Sequence, residues 1–112
     1  MLRDALADAL NDHPDVRVVG VAATAAEAVH LALQTRPDVA IVDVRMPGGG
    51  PAAVRGIRLH SQRTRVIAHS AFDDTASRNA MLAAGAREYL VKGSGLTRML
   101  DSVLLAATGD VA

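Results

Sequence analysis

The hydrophobic positions of this chain switch repeatedly between a helical and an extended period. Leu2, Leu6 and Leu10 recur at every fourth residue and predict a helix over 1–12. "DVRVVGVA" (15–22) is a β-branched run and reads as a strand. Thr24 followed by Glu27 forms a capping box, which opens a helix through Ala28, Leu31 and Ala32 as far as Thr35, before Pro37 stops it. "DVAIVD" (38–43) is the second strand. Pro51 suits a first helical turn, and Val54, Ile57 and Arg58 carry that helix to Gln62. "TRVIAHS" (64–70) is the third strand. Asp73 or Asp74 caps a helix running to Ala84, with Gly85 as its C′ residue. "REYLV" (87–91) is the fourth strand, and Ser94 can cap a last helix with the stripe Leu96, Met99, Leu100, Val103 and Leu104.

Strands alternating with helices predict an α/β domain with a four-stranded parallel sheet covered on both faces, strands ending near Ala22, Asp43, Ser70 and Val91. Cover on both faces explains why Val39, Ala40, Ile41 and Val42 are all apolar. Right-handed crossovers put the three connecting helices (24–35, 51–62, 73–84) on one face and leave the first and last helices to cover the other.

The 112 residues suit one domain, 1–112, with no output domain. Half of them are hydrophobic, but with one Phe and one Tyr the core must be aliphatic. A net charge of zero gives nucleic-acid binding no electrostatic support. No cysteine is present, which excludes a disulfide framework or a Cys-based zinc site. No apolar run approaches the ~18 residues of a spanning helix. The opening "MLRDALADAL" is too acidic for a signal peptide, so the expectation is a soluble cytoplasmic protein without membrane contact. Asp4, Asp8 and Asp12 repeat along the first helix and read as a solvated stripe.

Candidate chemistry gathers at the strand ends. Open parallel sheets bind ligands beyond the carboxyl ends of their strands. Here the second strand ends in Asp43, the third in Ser70, and Lys92 follows the fourth, so a carboxylate, a hydroxyl and an ammonium should converge. Gly48, Gly49 and Gly50 promise an uncrowded loop beside Asp43. They are not a nucleotide loop, lacking both the Lys-Ser/Thr of a P-loop and the spacing of a dinucleotide fingerprint. A carboxylate so placed can act as a nucleophile toward phosphorus. A lysine and a divalent metal would then neutralise charge on the transferred group. Lys92 is the only lysine in a chain that otherwise uses arginine, and its compact ammonium suits one phosphoryl oxygen. His69 alternates away from Ser70 and reads as a partly buried packing residue, while His13, His30 and His60 read as surface or loop residues.

At "VDVRMP" around Asp43, "VIAHSA" around Ser70 and "EYLVKG" around Lys92, the sequence resembles the response-regulator receiver domain of two-component signalling. "HPDVRVVGVA", "RPDVAIVDVRMPGGG" and "AGAREYLVKGS" are most similar to receivers of LuxR/NarL-type regulators, and the resemblance runs from Met1 to about Ala107. It implies a flavodoxin-like doubly wound sheet with strand order 2-1-3-4-5. It also implies that Asp43 accepts a phosphoryl group from a histidine kinase, that Asp43 and the Arg45 carbonyl bind Mg²⁺, that Ser70 bonds the phosphoryl group, and that Tyr89 swings inward on activation. An output domain or partner would read the switch, and any enzymatic activity would be at most a weak autophosphatase.

The resemblance lacks the family's first strand and the acidic pair that ends it, so Mg²⁺ binding is expected to be weak or absent. Truncation or a degenerate receiver would each account for this. A degenerate receiver would be a phosphorylation-independent interaction module. Gly93 stands where the family often has proline. The lost strand would expose sheet edges, so self-association is expected, unless the remaining strands close up in chain order.

Overall fold

A computed structural model describes the backbone of residues 2–93 and 95–108. Five helices and three strands follow in the order α1 (Leu2–Asn11), α2 (Ala25–Thr35), β1 (Val39–Asp43), α3 (Gly50–His60), β2 (Arg65–Ser70), α4 (Thr75–Ala84), β3 (Glu88–Val91) and α5 (Leu96–Thr108). The predicted caps form on α2 and α4. The Glu27 N–H donates to Thr24 Oγ1 at 3.2 Å, and the Glu27 carboxylate reaches back to the Ala23 N–H. On α4 the capping residue is Asp74, whose Oδ1 accepts from the Ser77 N–H at 2.7 Å. Gly85 ends α4 at φ 119°, where a side chain would be strained. The Ser94 cap lies outside the described residues.

Among the described residues the sheet is parallel, in the order β1-β2-β3. The alternation of side chains divides its surroundings into two clusters. Val42, Val66, Ala68 and Tyr89 face α2, α3 and α4, packing with Ala32, Ala53, Val54, Ile57 and Met81. Val39, Ile41, Ile67 and Leu90 face α1 and α5, packing with Leu10, Met99, Val103 and Ala106. The division of helices between the faces is the one expected from right-handed crossovers. In α5 the stripe is narrower than expected: Leu96, at its start, is 43% exposed.

The first predicted strand, 15–22, does not form. Residues 16–22 enter no ladder. A strand is stable only beside another strand, and β-branched composition supplies propensity but no partner. The segment is fixed instead by local contacts. Its start is tied to α1's end by the Val18 N–H donating to Asn11 Oδ1 at 3.0 Å. Gly20 lies against α2, so close that an added Cβ would stand 2.6 Å from Leu31. A cleft of about 1180 Å³ lies between this segment and β1. The strands therefore have not closed up in chain order.

Candidate phosphoacceptor site

Each residue of the site sits where an apolar run ends. Asp43 is the last residue of β1, Ser70 the last of β2, and Lys92 follows β3. Parallel register sets Asp43 beside His69 and Ser70 beside Val91. The Lys92 N–H donates to the Ser70 carbonyl at 2.6 Å, holding the start of the lysine's loop against the end of β2.

The structure brings Asp43 and Lys92 into direct contact, with Nζ 2.7 Å from Oδ2. The other carboxylate oxygen, Oδ1, accepts from the Arg45 N–H at 3.0 Å. Burial pushes the Asp43 carboxyl upward, but the hydrogen bonds from Lys92 and Arg45, with the charges of Lys92 and His69, more than offset it. Asp43 is thus held below the ordinary carboxylate range and is ionised at neutral pH.

Ser70 is buried, and its Oγ accepts from the Phe72 N–H at 3.1 Å rather than touching the ion pair. Its hydroxyl hydrogen remains able to donate. Tyr89 is also buried, with its hydroxyl donating to the Phe72 carbonyl at 2.7 Å and the Arg78 guanidinium 4.8 Å from its ring centroid. The Arg45 guanidinium lies 4.6 Å from the centre of the Phe72 ring. Phe72 therefore connects the loop after Asp43 to Ser70 and Tyr89, a role nothing in its local sequence signals.

His69 is partly buried, as expected. Register with Asp43 puts the two side chains on one sheet face. Burial depresses the imidazole pKa, the Lys92 charge adds to this, and Asp43 opposes it. The glycine loop also differs from its expected openness. Gly48 and Gly49 take φ of 92° and 97°, and at Gly50 an added Cβ would come within 2.7 Å of the Asp43 carbonyl. Gly50 lets α3 start tight against the end of β1.

Of the groups expected to hold Mg²⁺, the Asp43 carboxylate sits at the site, with its Oδ1 accepting from the Arg45 N–H. No group of three or more His, Cys, Asp or Glu residues is placed to hold a metal among the described residues. Mg²⁺ takes six oxygens in a near-octahedral shell.

The family model for the response regulator receiver domain matches residues 1–104. The chain is 32% identical over 111 residues to the response regulator GacA of Pseudomonas viridiflava, covering 98% of this chain and 52% of that protein. It thus spans about half the length of that relative. The receiver domain of the putative response regulator NarL from Mycobacterium tuberculosis superposes with a TM-score of 0.88 at 36% identity, covering 96% of this chain and 87% of that one. The receiver domain of sensor histidine kinase PA1611 from Pseudomonas aeruginosa PAO1, with magnesium in its active-site cleft, gives a TM-score of 0.80 at 26% identity, covering 96% and 86%. No described helix is long and apolar enough to cross a membrane.

Proposed function

The chain belongs to the response regulator receiver family of two-component systems, and we propose that Asp43 is its phosphoacceptor, loaded by a histidine kinase. The observation that carries this reading is the contact between Lys92 and Asp43 at the carboxyl end of the sheet. An ionised carboxylate oxygen of Asp43 attacks phosphorus of a phosphohistidine. The new O–P bond forms as the P–N bond breaks, and the freed imidazole takes up a proton. Lys92 turns from Oδ2 to a phosphoryl oxygen and offsets charge that would otherwise accumulate beside the carboxylate. The Ser70 hydroxyl donates to a second phosphoryl oxygen, giving up its bond from Phe72. Tyr89 reports that movement through its bond to the Phe72 carbonyl, and a partner or output domain reads the result.

Receivers generally use Mg²⁺, and when bound it would share the neutralisation of phosphoryl charge. In this chain Asp43 and the Arg45 carbonyl would help to hold it.

The test is intact mass after incubation with acetyl phosphate and Mg²⁺. Slow gain of one phosphoryl group, abolished in Asp43→Asn, supports the reading, and labelling that survives Asp43→Asn defeats it. A chain that never labels, even from a kinase, would instead be an interaction module with a receiver fold.

A further inference from the structure

Lys92 is the only lysine of the chain. Its arginines stay charged, so apart from the amine at the start of the chain, Lys92 carries the only amine that can become a nucleophile. Its Nζ stands 2.7 Å from Asp43 Oδ2. The other oxygen of that carboxylate accepts from the Arg45 N–H at 3.0 Å. An amine, a base within hydrogen-bond reach of it and a third group that orients the base make up the arrangement of an activated nucleophile. In the phosphoryl transfer proposed above, Lys92 acts only as a charge. Its geometry also suits it to attack carbon.

The amine is held in place and remains approachable. The Lys92 N–H donates to the Ser70 carbonyl at 2.6 Å, which fixes the backbone beneath the side chain. The side chain itself is 33% exposed. Gly93, the next residue, has φ 96°, and an added Cβ there would meet nothing within 4 Å. The same open space surrounds Gly95. A small acyl group therefore finds room beside Nζ.

An ammonium and a hydroxyl at one strand-end site favour a ligand with phosphoryl oxygens. In an acyl phosphate the acyl carbon is separated from phosphorus by a single bridging oxygen. A phosphoryl group bound at Lys92 thus brings an activated carbonyl to the amine, and proximity replaces a bimolecular encounter.

We propose that Lys92 is a self-acylation site for acyl phosphates. Asp43 Oδ2 takes one proton from the ammonium, and the freed amine attacks the acyl carbon. The N–C bond forms as the C–O bond to phosphate breaks. The second nitrogen proton leaves with the phosphate, and Asp43 returns its own proton to water. The product is a neutral amide, so the charge that would offset a phosphoryl group at Asp43 is removed. Conversely, a phosphorylated Asp43 is no longer a base for Lys92. The two modifications therefore exclude each other. That exclusion rests on the proposed role of Asp43, whereas the acylation does not.

Acetyl phosphate is the probe, added to the full chain at neutral pH and read by intact mass and peptide mapping. An ordinary lysine titrates well above a chain-terminal amine and holds far less free base at neutral pH. Unassisted acetylation would therefore label the terminal amine first, and the expected result is that Lys92 is labelled first. Asp43→Asn should slow acetylation of Lys92 by about a hundredfold, the loss of a general base, and leave the terminal amine unchanged. Acetic anhydride carries the acyl group without a phosphoryl group, so on the wild type it should label the terminal amine first. Terminal labelling ahead of Lys92 by acetyl phosphate, undiminished acetylation in Asp43→Asn, or the same preference for Lys92 with the anhydride would each overturn the proposal.

Phosphoramidate, which carries a phosphoryl group and no acyl group, tests the exclusion. Chain acetylated at Lys92 should take no phosphoryl group from it, and equal labelling of acetylated and unmodified chain overturns the exclusion. An unmodified chain that takes none defeats the reading of Asp43 as phosphoacceptor and the exclusion with it, while acylation of Lys92 stands or falls by the acetyl phosphate result.

Discussion

Lys92 Nζ stands 2.7 Å from Asp43 Oδ2 across 49 residues of chain, and this contact ties the carboxyl ends of the two outer strands, β1 and β3, over the middle one. Both side chains are about one-third exposed, at 33% and 38%. Solvent screens such a pair, and its contribution to stability is about 0–1 kcal/mol. Its larger effect is electrostatic preparation of the carboxylate. Lys92→Met should therefore leave the thermal midpoint nearly unchanged while raising the Asp43 pKa, read by carboxyl-carbon NMR titration. It should also remove phosphoryl labelling. Loss of fold in Lys92→Met would show that the pair is structural rather than functional.

Gly56 sets two effects against each other. Replacing a mid-helix glycine by alanine gains about 0.8–1 kcal/mol of helix propensity. Here the new Cβ would stand 2.5 Å from Val29 Cγ2 on α2, and overpacking costs about 1–3 kcal/mol. Overpacking should win, so Gly56→Ala is expected to lower the urea midpoint. Adding Val29→Ala should recover part of the loss. A more stable Gly56→Ala single variant would mean that α2 yields easily.

Much of this arrangement is legible in the sequence, and the failures share a cause. Asp43, Ser70 and Lys92 are marked because each follows an apolar run, and a polar residue after such a run sits at a strand's end. The caps at Thr24 and Asp74 are legible because capping is local chemistry over three residues. The segment 15–22 misleads because β propensity is local while a ladder needs a neighbour at the right distance. His69 is correctly placed opposite Ser70 by alternation, yet its company is set by the register Asp43↔His69, which no single stretch encodes. Gly50 likewise looks like loop freedom until α3 is packed against the end of β1.

Tyr89 offers a test of the connection through Phe72. Its ring is buried, and its hydroxyl bonds the Phe72 carbonyl at 2.7 Å. Tyr89→Phe keeps the packing and removes this bond, at an expected cost of about 0.5–1.5 kcal/mol. Because the Phe72 N–H in turn donates to Ser70 Oγ, the amide resonances of Ser70 and Phe72 should shift with it. Perturbation confined to β3 would show that the tyrosine is packing alone.

The last prediction concerns acid. Burial is the main reason the His69 pKa lies below its ordinary value, the Lys92 charge adds to the depression, and Asp43 opposes it. The folded chain thus favours neutral His69, whereas an unfolded histidine titrates near about 6.5. Below that pH the unfolded state binds a proton that the folded state resists, so stability present above about 6.5 is lost as pH falls toward the folded pKa. The urea midpoint should accordingly drop between about pH 7.5 and about pH 5.5, and His69→Gln should flatten that drop. Asp43, whose pKa is also depressed, loses its stabilising contribution only as pH falls below about 3.9, so the two windows do not overlap. Lys92→Met separates the causes: it removes one positive neighbour, so the His69 ring-proton titration should move up while burial still keeps it below its unfolded value. A His69 titration that is the same with and without Lys92 would mean that the ring does not sense the Asp43–Lys92 pair and that shared register alone does not make it part of the site.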